Sequence, residues 1–173
     1  MGYEDAATKA VSEGDATDWN AVYSEQLPRI YNYFRFRVAH RTEAEDLTAK
    51  TFEKAWKNRS RYQHDLAGIS TWLFRIAQNV GTDYLRSRRP HLPLDAAMAA
   101  QADSTPESEV EHQADIARLV MLTATLPEPQ RELIALKYGA AINNRAIAEI
   151  TGLTESNVGT ILSRTLQKLR SVW

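Results

Sequence analysis

Charged and amide side chains recur on one face of a predicted helix that ends before Pro90. Their spacing of three or four residues keeps them on one stripe. Guanidinium groups can hold phosphates, and an amide can pair with a base edge. The alternative is an ordinary solvated face, on which an acidic residue pairs with an arginine and the last arginines favour the negative helix end. The stripe and its end comprise Arg75, Asn79, Asp83, Arg86, Arg88 and Arg89.

The loop before this helix combines positive charge with one aromatic ring. Residues 57–71 read KNRSRYQHDLAGIST, and Tyr62 lies next to Arg61 and close to Arg59. Single-stranded nucleic acid is bound by this combination, because cations neutralise phosphates and a flat ring stacks on an unpaired base. A Tyr62 that packs in the core is equally compatible with the pattern.

A helix-turn-helix is predicted near the C-terminus. Asn143 can cap a short helix, Gly152 suits the left-handed residue after it, and Thr154 can cap the next helix. The second helix of such a unit enters the major groove, where small polar side chains read bases and Arg164 and Lys168 hold phosphates. A helical hairpin that packs on a partner protein is the alternative. The predicted DNA-binding residues are Glu155, Ser156, Asn157, Thr160, Ser163, Arg164 and Lys168.

Three amphipathic helices are predicted to position the first set of residues. Apolar side chains from Trp19 to Val38 form one helical stripe, and Pro28 suggests a break in it. Thr42 and Glu45 form a capping box that opens the second helix, and the third begins near Ser70. The fold class is therefore all-α, with an N-terminal helical bundle and a C-terminal helix-turn-helix domain.

Charge is segregated along the 173 residues although the net charge is only -1. Residues 26–90 hold 13 basic and 6 acidic side chains, whereas 91–115 hold no lysine or arginine, 6 acidic residues and two prolines. The second segment is typical of a flexible acidic linker. We expect an acidic tail over 1–16, a domain over 17–90, the linker over 91–115 and a second domain over 116–173.

Several functional classes are excluded by composition. The chain has no cysteine, so disulfides, thiol catalysis and Cys-ligated metals are absent. Its four histidines are scattered and no HExxH motif occurs, so we expect no catalytic site, no metal and no cofactor. No apolar run is long enough to cross a membrane and the N-terminus is acidic, so we expect a cytoplasmic protein.

Three motifs together resemble the extracytoplasmic-function (ECF) sigma factors of bacteria, which belong to the sigma-70 family. AEDLTAKTFEKAW (44–56) is similar to the family's AEDLxQExFxxAW helix, and STWLFRIAQNVGTDYLRSRR (70–89) to its WLxxIAxNxxxDxLR helix. LPEPQRELIALKY, followed by AIAEITGLTESNVGTILSRTLQKLR, resembles its helix-turn-helix domain. The resemblance implies sigma region 2 over 17–90 and region 4 over 116–173.

The resemblance also implies partners and roles. Region 2 would bind the beta-prime clamp helices of RNA polymerase core, and region 4 the beta flap. The clamp contacts would be Glu45, Asp46, Leu47, Phe52 and Trp56. The loop and third helix would open the minus-ten element, with Tyr62 and Asn79 around a flipped-out base, aided by Arg59, Arg61, Arg75, Asp83, Arg86, Arg88 and Arg89. The last helix would read the minus-thirty-five element, and an anti-sigma factor is the expected inhibitor.

This sequence departs from the family pattern at a few positions. Ala49 and Lys50 replace the usual glutamine and acidic residue, and Gly159 stands where many members have a cation. We therefore expect the clamp contact and the upstream promoter sequence to differ in detail. A stand-alone helix-turn-helix regulator is the alternative from another class, but it gives no role to the basic aromatic loop.

Overall fold

The computed structural model describes residues 17–64, 67–88 and 107–173. All regular structure in these ranges is helical. The helices are α1 (Trp19–Val38), α2 (Arg41–Lys57), α3 (Ile69–Ser87), α4 (Glu107–Ala124), α5 (Glu128–Ile134), α6 (Asn144–Thr151) and α7 (Glu155–Val172). A 3₁₀ turn (Arg59–Arg61) follows α2, and a π-helical turn (Ala135–Gly139) extends α5. The predicted all-α fold is confirmed.

The N-terminal bundle consists of α1, α2 and α3, which pack on one another through one apolar side each. Ile30 and Phe34 of α1, Ala44 of α2, and Leu73 and Phe74 of α3 are buried. Asp18 caps α1 by accepting hydrogen bonds from the backbone N–H groups of residues 20 and 21. These contacts fix the faces of α2 and α3 that stay exposed.

Two predictions about the bundle are wrong. Pro28 does not break α1, which runs through it without interruption, because burial along the helix outweighs the cost of about 3 kcal/mol for a proline in a helix. Thr42 does not cap α2, which begins one residue earlier at Arg41. Glu45 accepts a hydrogen bond from Arg41 at 3.1 Å instead of reaching back to a capping residue.

The C-terminal domain contains the predicted helix-turn-helix. Asn143 caps α6 by accepting from the N–H of Ala146, and Thr154 caps α7 by accepting from the N–H of Asn157. Gly152 ends α6 with φ at 77°, the left-handed conformation that favours glycine. The three sequence signals are confirmed at the predicted residues.

Helix α4 begins inside the predicted linker 91–115, so that prediction is wrong from 107 onward. The helix continues to Ala124, and its Val120 is buried. Residues 91–106, which make up the rest of the predicted linker, and the acidic tail 1–16 lie outside the described residues.

The two domains pack together and share one hydrophobic core. Helix α1 contacts α4, α5 and the π-helical turn, and α3 contacts α6. Leu133, Leu136 and Ala140 of the C-terminal domain belong to the same buried cluster as Tyr33 and Phe34 of α1. Gly139 packs directly on α1, because a Cβ on it would lie 3.0 Å from the carbonyl oxygen of Asn32, so a larger residue there would require the neighbouring backbone to shift.

Candidate nucleic-acid interface

Four aromatic rings, one from each helix of the N-terminal bundle and one from the loop between α2 and α3, form one cluster. Trp19 lies at the start of α1 and Trp56 near the end of α2, while Tyr62 follows the 3₁₀ turn and Trp72 lies in the first turn of α3. The ring centroid of Trp19 lies 6.5 Å from that of Trp56, 6.4 Å from that of Tyr62 and 6.0 Å from that of Trp72. The rings thereby fix the loop between α2 and α3 against both helices.

A small pocket opens beside this cluster. It has a volume of about 280 Å³, close to the lower limit of small-molecule sites, which is roughly 300 Å³. Trp72 and Ile76 supply apolar surface, while amides and cations supply the polar groups. This Trp72 pocket is lined by Lys54, Asn58, Arg61, Trp72, Ile76 and Asn79. Flat rings, amide groups and positive charge suit an unpaired nucleobase and its phosphate.

The structure places Asn79 and Tyr62 in different environments. Asn79 is exposed and lines the Trp72 pocket, so its amide is available to a ligand. Tyr62 is half-buried against Trp72 and Trp19, and it does not line that pocket. Sequence reasoning missed Trp72, Asn58 and Lys54, although Trp72 stands inside the WL motif that carried the resemblance.

The arginines of the predicted minus-ten surface differ in how they are held. Arg61 is exposed and lines the pocket, whereas Arg59 lies over the Trp56 ring at 3.9 Å and donates to the Trp56 carbonyl oxygen at 2.7 Å. Arg75 donates to the Glu149 carbonyl oxygen of α6 at 3.2 Å. It therefore spans the two domains.

Arg86 and Arg88, near the end of α3, differ in whether an acidic residue binds them. Arg86 and Asp83 are exposed, and no ion pair joins them within the described ranges. Arg88 instead binds Glu43 of α2 with both terminal nitrogens, at 3.1 and 3.0 Å. Burial raises the pKa of the neighbouring Tyr84, and its hydrogen bond with Glu43 adds to the shift. Arg89 lies outside the described residues.

The predicted polymerase contacts divide between a groove and the core. Helices α1 and α2 enclose an open groove of about 660 Å³, to which Glu45 and Phe52 contribute. Asp46 and Trp56 are exposed, and the Trp56 side chain is 54% accessible. Leu47 is only 4% accessible and packs in the core of the bundle, and its contact with polymerase stays a prediction. The α1–α2 groove is lined by Tyr23, Leu27, Pro28, Tyr31, Glu45, Thr48, Ala49 and Phe52.

The predicted reading face of α7 is exposed throughout. Val158, Leu162 and Leu169 are buried on the opposite side of the helix and fix its rotation. A Cβ on Gly159 would meet only the side-chain nitrogen of Asn144, at 3.7 Å, so the glycine leaves a shallow depression in this face. The exposed residues are Glu155, Ser156, Asn157, Thr160, Ser163, Arg164 and Lys168.

The described part of the chain has neither a membrane-spanning helix nor a cluster of metal ligands. No helix there is both long and apolar enough to cross a membrane. Nor do three or more histidine, aspartate or glutamate side chains in those ranges come close enough together to hold a metal ion.

Comparisons with known proteins agree with this geometry. The chain is 25% identical to the ECF RNA polymerase sigma factor BldN of Streptomyces coelicolor over 90% of its own length and 60% of BldN. It is 24% identical to SigM of Bacillus subtilis, over 88% of this chain and 93% of SigM. The fold matches that of the sigma factor RpoE from Bartonella quintana, with a TM-score of 0.65, 20% identity and coverage of 89% and 95%.

Family matches cover both domains. Residues 22–91 match Sigma-70 region 2, and residues 116–169 match Sigma-70 region 4. Together these ranges take in more than two thirds of the chain. The relatives are sigma factors, which regulate transcription and are not enzymes. The chain therefore belongs to the sigma-70 family of RNA polymerase sigma factors, within its extracytoplasmic-function group.

Proposed function

We propose that this sigma factor joins RNA polymerase core in the cytoplasm and reads a minus-thirty-five and a minus-ten element with two separate surfaces. The α7 face reads the upstream element, and the Trp72 pocket with its loop opens the downstream one. The observation that carries the proposal is the pocket itself, because an exposed amide, two cations and a tryptophan meet in a space of about 280 Å³.

The energies are of the right order for strand opening. Removing one base from the stack costs a few kcal/mol. Stacking on an aromatic ring returns about 1 to 3 kcal/mol per base. Asn79 can add two hydrogen bonds to a base edge, because its amide both donates and accepts. Arg61 and Lys54 neutralise the adjacent phosphates.

The α1–α2 groove is proposed to bind the beta-prime clamp helices. It is apolar along Leu27, Tyr31 and Phe52, and Glu45 lies at its edge. Aromatic rings around an apolar groove suit the ridge of a helical partner. The beta flap is the proposed partner of the C-terminal domain.

An anti-sigma factor is the proposed inhibitor. The matched RpoE structure is a complex with the anti-sigma factor NepR. We extend this relationship to the present chain, and expect its inhibitor to compete with polymerase core. Competition between the two in a binding assay would support the assignment, and simultaneous binding would contradict it.

The decisive experiment adds the purified chain to RNA polymerase core and genomic fragments from its own host. A discrete start site that depends on the chain would establish promoter-specific initiation and supply both elements. Binding to duplex DNA without binding to polymerase would instead favour a stand-alone regulator.

A base-specific test isolates Asn79. Because this side chain is exposed, Asn79→Ala should leave stability within about 0.5 kcal/mol of the parent. The variant should lose its preference for one base at one position of the minus-ten element. This is measured by comparing strand opening on a set of promoters, each changed at one minus-ten position. Unchanged preference at every position would remove Asn79 from the reading surface.

A further inference from the structure

The packing of the described residues does not require a glycine at position 159. Gly159 lies in the first half of α7, where its backbone is helical and a left-handed conformation is not needed. A Cβ would have room, because the nearest atom it would meet is the side-chain nitrogen of Asn144, at 3.7 Å. Gly81 and Gly139 differ, since a Cβ on either would come within 3.0 Å of an atom of α1. Glycine is less favourable than alanine in a helix, so the fold itself gives no reason for Gly159.

Gly159 lies on the face of α7 that is proposed to enter the major groove. Val158 and Leu162 are buried on the other side of the helix and fix its rotation. Glycine serves where another molecule must come close to the backbone. The missing side chain leaves a shallow hollow, which we refer to as the Gly159 depression. It is lined by Ser156, Gly159, Thr160, Ser163, Arg164 and Gln167.

The part of the depression around Gly159 lacks the side chains that read most bases by hydrogen bonds. Guanine is usually read by arginine or lysine, and adenine by asparagine or glutamine. In the depression these residue types occur only at Arg164 and Gln167, more than one helical turn beyond Gly159. The residues of the depression within one turn of Gly159 are hydroxyl residues, so a different kind of contact is needed there.

Thr160 supplies an apolar group beside Gly159. Its Oγ1 donates to the Ser156 carbonyl oxygen at 3.0 Å, so the one hydroxyl proton is used within the helix and cannot be donated to a base. The Thr160 side chain is exposed, and its methyl group is what remains for a contact. A threonine methyl is among the groups that contact the 5-methyl group of thymine in the major groove.

We propose that the Gly159 depression receives the 5-methyl group of one thymine in the minus-thirty-five element, and that the methyl group of Thr160 packs on it. Gly159 contributes by having no side chain, which lets the base edge come close to the helix. Thymine is thereby distinguished by its methyl group and not by its hydrogen-bonding groups. This specificity rests on the proposed role of α7 at the upstream element.

Deoxyuridine tests the proposal directly, because it differs from thymidine by that methyl group alone. Holoenzyme is assembled from polymerase core and the full chain, and its affinity is measured on promoters that it initiates from. Each thymine of the minus-thirty-five element, on either strand, is replaced in turn by deoxyuridine. We expect one position at which the replacement weakens binding about fourfold, which corresponds to about 0.8 kcal/mol for one buried methyl group.

Two substitutions should abolish this sensitivity to deoxyuridine. Gly159→Ala fills the depression with a Cβ, and Thr160→Ser removes the contacting methyl group. Each variant should lose its preference for thymine over deoxyuridine at the sensitive position. Thr160→Val keeps a methyl group and should retain the preference.

Lys168→Ala is the matched control, because Lys168 is exposed on the same helix but does not line the depression. It should weaken binding to the thymine and deoxyuridine promoters by the same factor, since a phosphate contact does not depend on the base. Urea unfolding checks that Gly159→Ala is not destabilised, so that its loss of affinity has to come from the interface. If Gly159→Ala does not fold, Thr160→Ser at its exposed position decides the question.

Three results would overturn the proposal while the proposed function stands. They are a selected minus-thirty-five element without thymine, no effect of deoxyuridine at any thymine, or an effect that persists in both Gly159→Ala and Thr160→Ser. In each case the holoenzyme still prefers its promoter to one with a scrambled minus-thirty-five element. If it does not, α7 does not read that element, and the proposed function fails together with the thymine contact.

Discussion

The ring of Tyr62 packs against the ring of Trp72, with the centroids 5.2 Å apart and the planes inclined by 49°. Trp72 lies in the first turn of α3, and Tyr62 follows the 3₁₀ turn after α2, so the contact joins the loop to the helix that carries Asn79. The sequence was compatible with a Tyr62 that packs in the core and with one that stacks on a base. The structure is compatible with both, because the side chain is packed on one side and partly exposed. Tyr62 can therefore hold Trp72 in place beside the pocket and also present the edge of its own ring to DNA.

Replacing Tyr62 by alanine should impair promoter opening more than polymerase binding. Loss of one stacking ring is worth about 1 to 3 kcal/mol, which corresponds to a decrease in open complex of roughly 5- to 150-fold. Permanganate footprinting of the unpaired strand measures opening, and a pull-down on core enzyme measures binding. Tyr62→Phe keeps the ring and should retain most opening. Equal losses of opening and binding would show that Tyr62 is purely a core residue.

Arg86 and Arg88 should differ in the salt dependence of promoter binding. Arg86 has no ion pair among the described residues, whereas Arg88 is bound by Glu43. Arg86→Ala should lower the slope of log affinity against log salt by about 1, because one phosphate contact is lost. Arg88→Ala should change the slope less. Titration of the holoenzyme on one promoter over several salt concentrations measures both, and equal slopes for the two variants would contradict the assignment.

Two glycines inside helices should respond oppositely to alanine. A Cβ on Gly81 would lie 2.5 Å from Nη1 of Arg37 and 3.3 Å from the Phe34 ring. The buried guanidinium cannot move freely, so we expect Gly81→Ala to destabilise the protein by about 1 to 3 kcal/mol. Gly159→Ala meets no such obstacle and should stabilise by up to about 1 kcal/mol. Urea unfolding measures both, and a stabilised Gly81→Ala would show that the Arg37 guanidinium tolerates displacement.

The pKa of Glu132 predicts a pH-dependent effect. Burial raises this pKa above its ordinary value of 4.5, and the attraction of Arg37 only partly opposes the shift. The folded state therefore holds a proton more tightly than the unfolded state does. The contribution of Glu132 to unfolding free energy grows as pH falls through the raised pKa towards 4.5, and is lost as pH rises.

Glu132→Gln tests that sign, because glutamine resembles the protonated carboxyl group. The variant should be at least as stable as the parent at pH 7, and its advantage should shrink as pH falls towards the ordinary carboxyl range. Urea unfolding of both proteins across this pH range measures the difference in their free energies of unfolding. The contributions of the other titrating groups are the same in both proteins and cancel in this difference. A variant that is less stable at pH 7 would mean that the charge on Glu132 is needed for the pair with Arg37.

Local signals in the sequence predicted local structure well. Asn143, Gly152 and Thr154 act on backbone groups within a few residues, so the helix-turn-helix could be placed from type and spacing alone. Pro28 misled because its effect depends on packing along the whole of α1. The burial of Leu47 also could not be read from local signals, because it is decided by the rotation of α2 on its neighbours.

The residues that join the domains could not be predicted in this way. Arg37 stands in the sequence RFRV at the end of α1, where it resembles a solvated cation near a helix terminus. Its partners Glu128 and Glu132 are about 90 residues away. Only the three-dimensional arrangement shows that all three side chains meet. The prediction of the Trp72 pocket was incomplete for the same reason, because its lining residues come from α2, the loop and α3.

The contact of Arg37 with Glu128 and Glu132 also restricts how domains can be exchanged between relatives. A chimera that takes α1 to α3 from one sigma factor and α5 to α7 from another separates the guanidinium from the carboxylates that match it. If the first donor has a neutral residue at position 37, Glu132 is left in the interface without its cation, which weakens the packing of the two domains. Recombined chains should therefore be less stable than either parent unless residues 37, 128 and 132 are exchanged as a set.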